Sequence, residues 1–161
     1  MNAIPLCAAR SEDFAAILAL NNAHAAELGA LTLVELERLI ERSFRTRVAE
    51  SVDAFLIAFE QGVDYESPNY RWFGARFERF AYVDRVAVAA TARKKGLGRL
   101  LYRDIIDAAI CAGHTRLCCE VNTEPPNPVS DAFHAALGFK EIGRAVIPER
   151  GKAVRYLELV L

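Results

Sequence analysis

No apolar run in this sequence approaches the ~18 residues of a membrane-spanning helix. Its start, MNAIPLCAARSEDF, lacks the basic segment and long apolar core of a secretory leader, so a cytoplasmic protein is expected. Net charge is also lacking. Twenty Lys and Arg against 21 Asp and Glu leave −1, which gives no global pull toward nucleic acid or anionic lipid. Neither is expected as a partner, and any anion site must be local. The four cysteines (Cys7, Cys111, Cys118 and Cys119) have no C-x-x-C spacing and no nearby histidine pair. That excludes a zinc site or a disulfide framework; the expectation is buried, reduced thiols and no metal. Repeats, low-complexity tracts and Ser/Gly linkers are missing as well, and 161 residues, 53% apolar and 25% charged, fit one domain spanning 1–161.

What is present is an alternation of strand and helix signals. AIPLCAAR (3–10) reads as a strand, and SEDFAAILALNNAHAAELG as a helix of four to five turns that starts near Ser11 and stops at Gly29. TLVELERLIERSF repeats Leu33, Leu36, Leu39 and Ile40 at helical spacing behind Thr32. TRVAE and DAFLIAFEQG are short strands. The stretch 63–80 is denser in aromatics than in regular pattern, with Pro68 as a breaker. AYVDRVAVAA (81–90) is a strand with Tyr82, Asp84, Val86 and Val88 on one face. Behind ARKKG, an apolar stripe of Leu97, Leu100, Leu101, Ile105, Ala108, Ala109 and Ala112 makes an amphipathic helix ending at Gly113. TRLCCEVN (115–122), a stiff TEPPNP loop, the short helix VSDAFHAALGF capped by Ser130, and the strands KEIGRAVI and KAVRYLELVL complete the chain. This order calls for an α/β fold of the mixed α+β kind, a mixed sheet covered by helices.

Three consecutive cations, Arg93, Lys94 and Lys95, precede two glycines and a helix. A helix N-terminus is already partly positive, so the cations belong there only if something anionic binds. The Walker spacing is absent, and the dinucleotide fingerprint fails because position 101 is Leu rather than Gly. What remains is R-x-x-G-x-G, from Arg93 to Gly98, five residues after Val88, where backbone N–H groups and flanking cations suit a diphosphate.

That stretch resembles the GNAT superfamily of N-acetyltransferases, whose signature strand ends in valine and runs into R/Q-x-x-G-x-G/A and a helix. A second match follows: Cys119-Glu120-Val121 stands for the family's L-E-V, Asn127 for its asparagine, and His134 in HAALGF, seven residues on, for a tyrosine. The resemblance covers about residues 82 to 145. It implies a central mixed, mostly antiparallel sheet of about seven strands, flanked by about four helices and splayed between the fourth and fifth strands. It also implies acetyl-CoA as cosubstrate, held by Val86, Val88, Arg93, Lys94, Lys95, Gly96, Leu97, Gly98, Arg99 and Asn127.

Acetyl transfer needs a base, since an ammonium with a pKa near ~10.4 is no nucleophile at neutral pH. It also needs a donor for the developing oxyanion and a proton for the departing thiolate. The resemblance gives the first role to Glu120, the second to the Val88 backbone N–H and the third to His134 in place of tyrosine. Each has a plainer reading: a carboxylate paired with Arg116, a core valine, and a partly buried helix histidine bonded to a carbonyl. Asn127 is equally a turn residue before Pro128. Asn22, Tyr70, Trp72 and Phe73 are acceptor candidates by position, with an aromatic core as the alternative.

The expected function is transfer of an acetyl group to a primary amine by direct attack on the thioester, on a small molecule or a peptide. A non-catalytic acyl-CoA-binding module is the alternative, and a nucleic-acid contact through RKKGLGR is disfavoured by the overall charge. The amine, the acyl length and the oligomeric state are open; YLELVL could pair across a homodimer if it lies at a sheet edge.

Overall fold

The computed structural model describes residues 5–49 and 51–161. Seven strands form one sheet in the order β1-β2-β3-β4-β5-β7-β6. They are β1 (Leu6–Ala8), β2 (Arg45–Ala49), β3 (Ala54–Glu60), β4 (Ala81–Val88), β5 (Arg116–Glu124), β6 (Lys140–Ile147) and β7 (Lys152–Val160). Neighbours β1/β2, β2/β3, β5/β7 and β6/β7 run antiparallel, and β4/β5 runs parallel. The β4/β5 ladder covers Ala81↔Leu117 and Tyr82↔Cys118, and beyond it the two strands splay, as expected. Ala3 and Ile4 of the expected first strand and Glu50 of the second lie outside the described residues.

Among the described residues there are six helices, where about four are expected: α1 (Phe14–Ala23), α2 (Ala25–Leu28), α3 (Leu33–Arg42), α4 (Pro68–Gly74), α5 (Leu97–Cys111) and α6 (Pro128–Leu137). The expected first helix is broken. A 3-10 turn occupies Ser11–Asp13, and His24 leaves helical geometry at φ −112°, ψ 27°. The second extra helix lies in the aromatic stretch, with Pro68 at its first turn, where a missing N–H costs nothing. For α3 the local signals agree: the Thr32 hydroxyl accepts from Glu35 N at 3.3 Å, and the Glu35 carboxylate accepts from Thr32 N at 2.7 Å.

The chain packs as two compact units, the described residues up to Phe59 with Val83–Ala108, and Glu60–Tyr82 with Ala109–Leu161. In the first, Ile17, Leu36, Leu39, Leu97, Leu101 and Ile105 are buried, as is most of β3, which therefore shows no alternation. Tyr102 joins the buried face of α5, while Ala112 is exposed, so the apolar stripe is displaced at its end. In the second, Tyr70, Phe73, Phe80 and Tyr82 meet at ring separations of 5.6 to 6.2 Å. Such pairs are worth about 0.5–1.5 kcal/mol each beyond the area they bury.

Two expectations are corrected. Cys118 and Cys119 are buried, but Cys7 is half-buried and Cys111, near the exposed end of α5, faces solvent; all four are free thiols. The terminal YLELVL belongs to β7, which lies between β5 and β6, so its backbone is already paired and it offers no sheet edge. No helix among the described residues is long and apolar enough to cross a membrane.

Candidate active site

The loop before α5 has the geometry of an anion cradle. Residues 90–92 form a 3-10 turn, Arg93 is extended, and Lys94 and Gly96 take left-handed φ values of 65° and 79°. Alternating handedness turns successive N–H groups to one side, a concavity that suits phosphate oxygens. α5 then opens at Leu97, which is buried and pins the turn, adding the partial positive charge of a helix N-terminus. Arg93, Lys94, Lys95 and Arg99 are exposed, and none has an ion pair among the described residues. Gly98 is half-buried in the first turn of α5.

Elsewhere in the same unit three arginines, Arg45, Arg47 and Arg85, are committed. Arg45 and Arg47 both reach Asp104 on α5, at 2.5 and 3.3 Å. Burial alone would raise the Asp104 carboxyl; the hydrogen bonds and charge of the two arginines outweigh it and hold the group below the usual carboxylate range. Arg85 donates to Asp84, to Asn21 Oδ1 and to the Gly29 carbonyl. Asn22, the acceptor-side candidate, closes the same loop: its amide accepts from Leu31 N at 2.9 Å and donates to Leu31 O at 3.0 Å. Val86 and Val88 are half-buried on β4, and just past the strand Ala89 N donates to Asp53 O at 2.7 Å.

In the second unit Glu120 is half-buried on β5. Its Oε1 accepts from Asn69 Nδ2 at 3.1 Å and its Oε2 from the Tyr82 hydroxyl at 2.7 Å. Tyr156 in turn donates to Asn69 Oδ1 at 2.9 Å. Register explains the convergence. Tyr156 lies directly across the antiparallel ladder from Glu120, and Tyr82 pairs with Cys118, two residues back on the same face. Arg116, the plainer partner for Glu120, instead pairs with Glu158 at 2.7 Å and lies over the Phe77 ring.

The remaining candidates of this unit have structural duties. The His134 ring is buried on α6; its Nδ1 lies 2.8 Å from the Ser130 carbonyl, so that nitrogen carries the proton. Burial pulls its pKa below the ordinary histidine value, against the opposing pull of the Ser130 carbonyl and Asp131. The neutral ring thus has its proton engaged, and donation from Nε2 requires the disfavoured imidazolium. Asn127, not Ser130, caps α6, its side chain accepting from Ser130 N at 3.2 Å. The cap falls here because Pro128 takes the first helical position, three residues before the start that a Ser130 cap implies. Tyr70 and Phe73 are core residues, and the Tyr70 hydroxyl donates to Glu60 O at 2.6 Å. Trp72 stacks on Tyr156 at 4.1 Å and has Arg76 over its ring at 3.6 Å, so its cation–π capacity is met internally.

Asn69, Tyr82 and Tyr156 were not singled out as site residues by sequence reasoning. Face parity along β4 could have put Tyr82 beside Glu120 had the register been known; nothing in the sequence marks Asn69 or Tyr156.

An open mixed sheet with a parallel, splayed central pair and an anion cradle after its fourth strand is the architecture of an acetyltransferase. The chain matches the Acetyltransferase (GNAT) family over residues 36–139, and it belongs to that family. Its fold is shared with yncA from Salmonella typhimurium, solved with its cofactor acetyl-CoA (20% identity, TM-score 0.68, 99% and 94% of the two chains). It is shared with ribosomal-protein-alanine N-acetyltransferase from Brucella melitensis (23%, 0.70, 98% and 99%). Naa20 from Chaetomium thermophilum, in complex with a bisubstrate analogue, is a third such structure (20%, 0.77, 98% and 87%). No curated protein matches the chain.

Proposed function

We propose that this enzyme transfers an acetyl group from acetyl-CoA to a primary amine by direct attack, with Glu120 as general base. The observation that carries the reading is the loop Arg93–Gly98. It is a left-handed turn at Lys94 and Gly96, bearing exposed cations that have no ion pair among the described residues, at the head of a 15-residue helix. A diphosphate supplies the charge that this arrangement lacks. Acetyl-CoA brings a thioester ready for attack. The protein's share is to bind the diphosphate through the loop and α5, to offer the Val88 N–H to the carbonyl oxygen, and to remove the amine's proton through Glu120, directly or by one water. Both Glu120 oxygens accept a hydrogen bond, which orients the carboxylate for that proton.

His134 fits a positioning role on α6 better than that of an acid, because its neutral ring already donates its proton to Ser130 O. The departing thiolate then takes its proton from solvent, which its modest basicity permits. The ribosomal-protein alanine named for one neighbour suggests alanine-bearing peptides as the acceptor class to try first. The test is release of CoA thiol from acetyl-CoA across a panel of peptides, amino acids and polyamines, with the chain at catalytic concentration. Amine-dependent thiol release is the expected result. Calorimetric binding of acetyl-CoA without turnover on any amine would return the chain to the non-catalytic acyl-CoA-binding reading.

A further inference from the structure

The carboxylate of Glu120 is reached by an amide whose orientation another residue controls. Asn69 is 5% exposed and Tyr156 1% exposed, so water does not satisfy the amide's two ends and protein groups must. The Tyr156 hydroxyl donates to Oδ1 at 2.9 Å, which leaves Nδ2 to donate to Glu120 Oε1 at 3.1 Å. Reversing the amide would set Oδ1 against Oε1, two acceptors in contact, an arrangement tolerable only with a proton on Glu120. The Tyr82 hydroxyl, at 2.7 Å from Oε2, also donates. We infer that Asn69 and Tyr156 are positioning residues for Glu120: the Tyr156 hydroxyl donates to the acceptor end of the Asn69 amide and holds that side chain in place, and its donor end holds Glu120 as an oriented acceptor.

The inference rests on the reading of Glu120 as the base, but the wiring stands on geometry alone. Four separate elements supply the parts: Asn69 from α4, Tyr82 from β4, Glu120 from β5 and Tyr156 from β7. The Tyr156 ring is fixed by stacking on Trp72 at 4.1 Å and by an edge contact with Phe73 at 5.3 Å. Its hydroxyl is pushed up to about 12 by burial and by the charge of Glu120, against the pull of Arg76 and Arg150, so it remains a donor across the working range. Tyr82 thus meets this carboxylate directly, and Glu120, Arg76 and Arg150 are the charges that act on the Tyr156 hydroxyl.

The experiment titrates the carboxyl carbon of Glu120 by NMR in the full chain labelled at glutamate, with Glu120→Gln identifying the signal. The variants are Asn69→Ala, Tyr156→Phe, which keeps the ring on Trp72, and Tyr82→Phe, which removes the direct donor to Oε2. Removing a donor to a carboxylate favours its protonated form. The midpoint of Glu120 should therefore move to higher pH in all three, more in Asn69→Ala than in Tyr156→Phe. The acid limb of the kcat/KM profile should move with it, while the KM for acetyl-CoA stays within about twofold, as expected of a change in basicity rather than in cosubstrate binding. A midpoint unmoved in folded Asn69→Ala and Tyr156→Phe overturns the inference, whether or not Tyr82→Phe shifts it. If the wild type turns over no amine, the proposed reaction fails, while the titration still decides the wiring.

Discussion

The loop Arg93–Gly98 and the cluster around Glu120 handle polar groups in opposite ways. In the loop, charge is exposed and lacks an ion pair among the described residues, and seven consecutive residues from Arg93 to Arg99 supply every component. In the cluster, one charge is half-buried and hydrogen-bonded by two neutral residues, Asn69 and Tyr82, with Tyr156 donating to Asn69 behind them. The first is built to meet an anion from outside; the second is built to hold one of its own. A local motif can do the former because backbone N–H groups and cations need only a turn to converge. The latter needs a sheet, because only strand register brings side chains so distant in sequence into contact.

The sharpest way to break this contrast is Glu120→Gln, which keeps shape and removes basicity. Acetyl transfer should fall by about 10²–10⁴-fold, the range of a lost general base, with acetyl-CoA binding unchanged by calorimetry. Gly96→Val should do the converse. A Cβ at Gly96 meets nothing within 4 Å, so the cost is conformational, about 1–2 kcal/mol at φ 79°. The loop should relax away from its left-handed turn, weakening acetyl-CoA binding about tenfold and leaving the saturated rate nearly intact.

Asp104→Asn probes a committed carboxylate two turns into the helix that follows the exposed cations. With Arg45 and Arg47 on it, the expected loss in urea unfolding is about 1–3 kcal/mol at neutral pH. Its folded pKa is depressed, so the stabilisation is complete above the unfolded value of ~3.9 and disappears as pH falls through the lower folded value. The gap between wild type and variant should close in that acid window. His134 acts in a different one. Its pKa is also depressed by burial, so stability is complete above ~6.5 and declines as pH falls from there through the folded value. The thermal midpoint of His134→Phe should decline less steeply than wild type on acidification below ~6.5. The smallest effect belongs to Lys94→Gly, which relieves a left-handed non-glycine residue while removing one cation. It should be within about 1 kcal/mol of wild type in stability and less salt-sensitive in CoA binding.

Much of the strand order was legible because turn chemistry and apolar runs bound the strands sharply; KEIGRAVI is β6 to the residue. The helices were less so. SEDFAAILALNNAHAAELG has unbroken helical propensity, yet α1 ends at Ala23, where Asn21 and Asn22 bind the Gly29 and Leu31 carbonyls and fold the chain back. Tyr70 and Phe73 looked like an acceptor wall because aromatic density says nothing of direction, and packing turned both rings into the core. Asn127 and His134 matched family positions, and the structure gives them a helix cap and a buried donor to the Ser130 carbonyl.

By itself the sequence determined the cation-bearing glycine turn, the strand before it and the helix after it, because those features depend on φ preferences and neighbouring charges within a few residues. Only the tertiary structure decided what surrounds Glu120. Hydrogen bonds between β4, β5, β7 and α4 depend on ladder register and on one helix in an irregular stretch, and neither leaves a periodic trace in the chain.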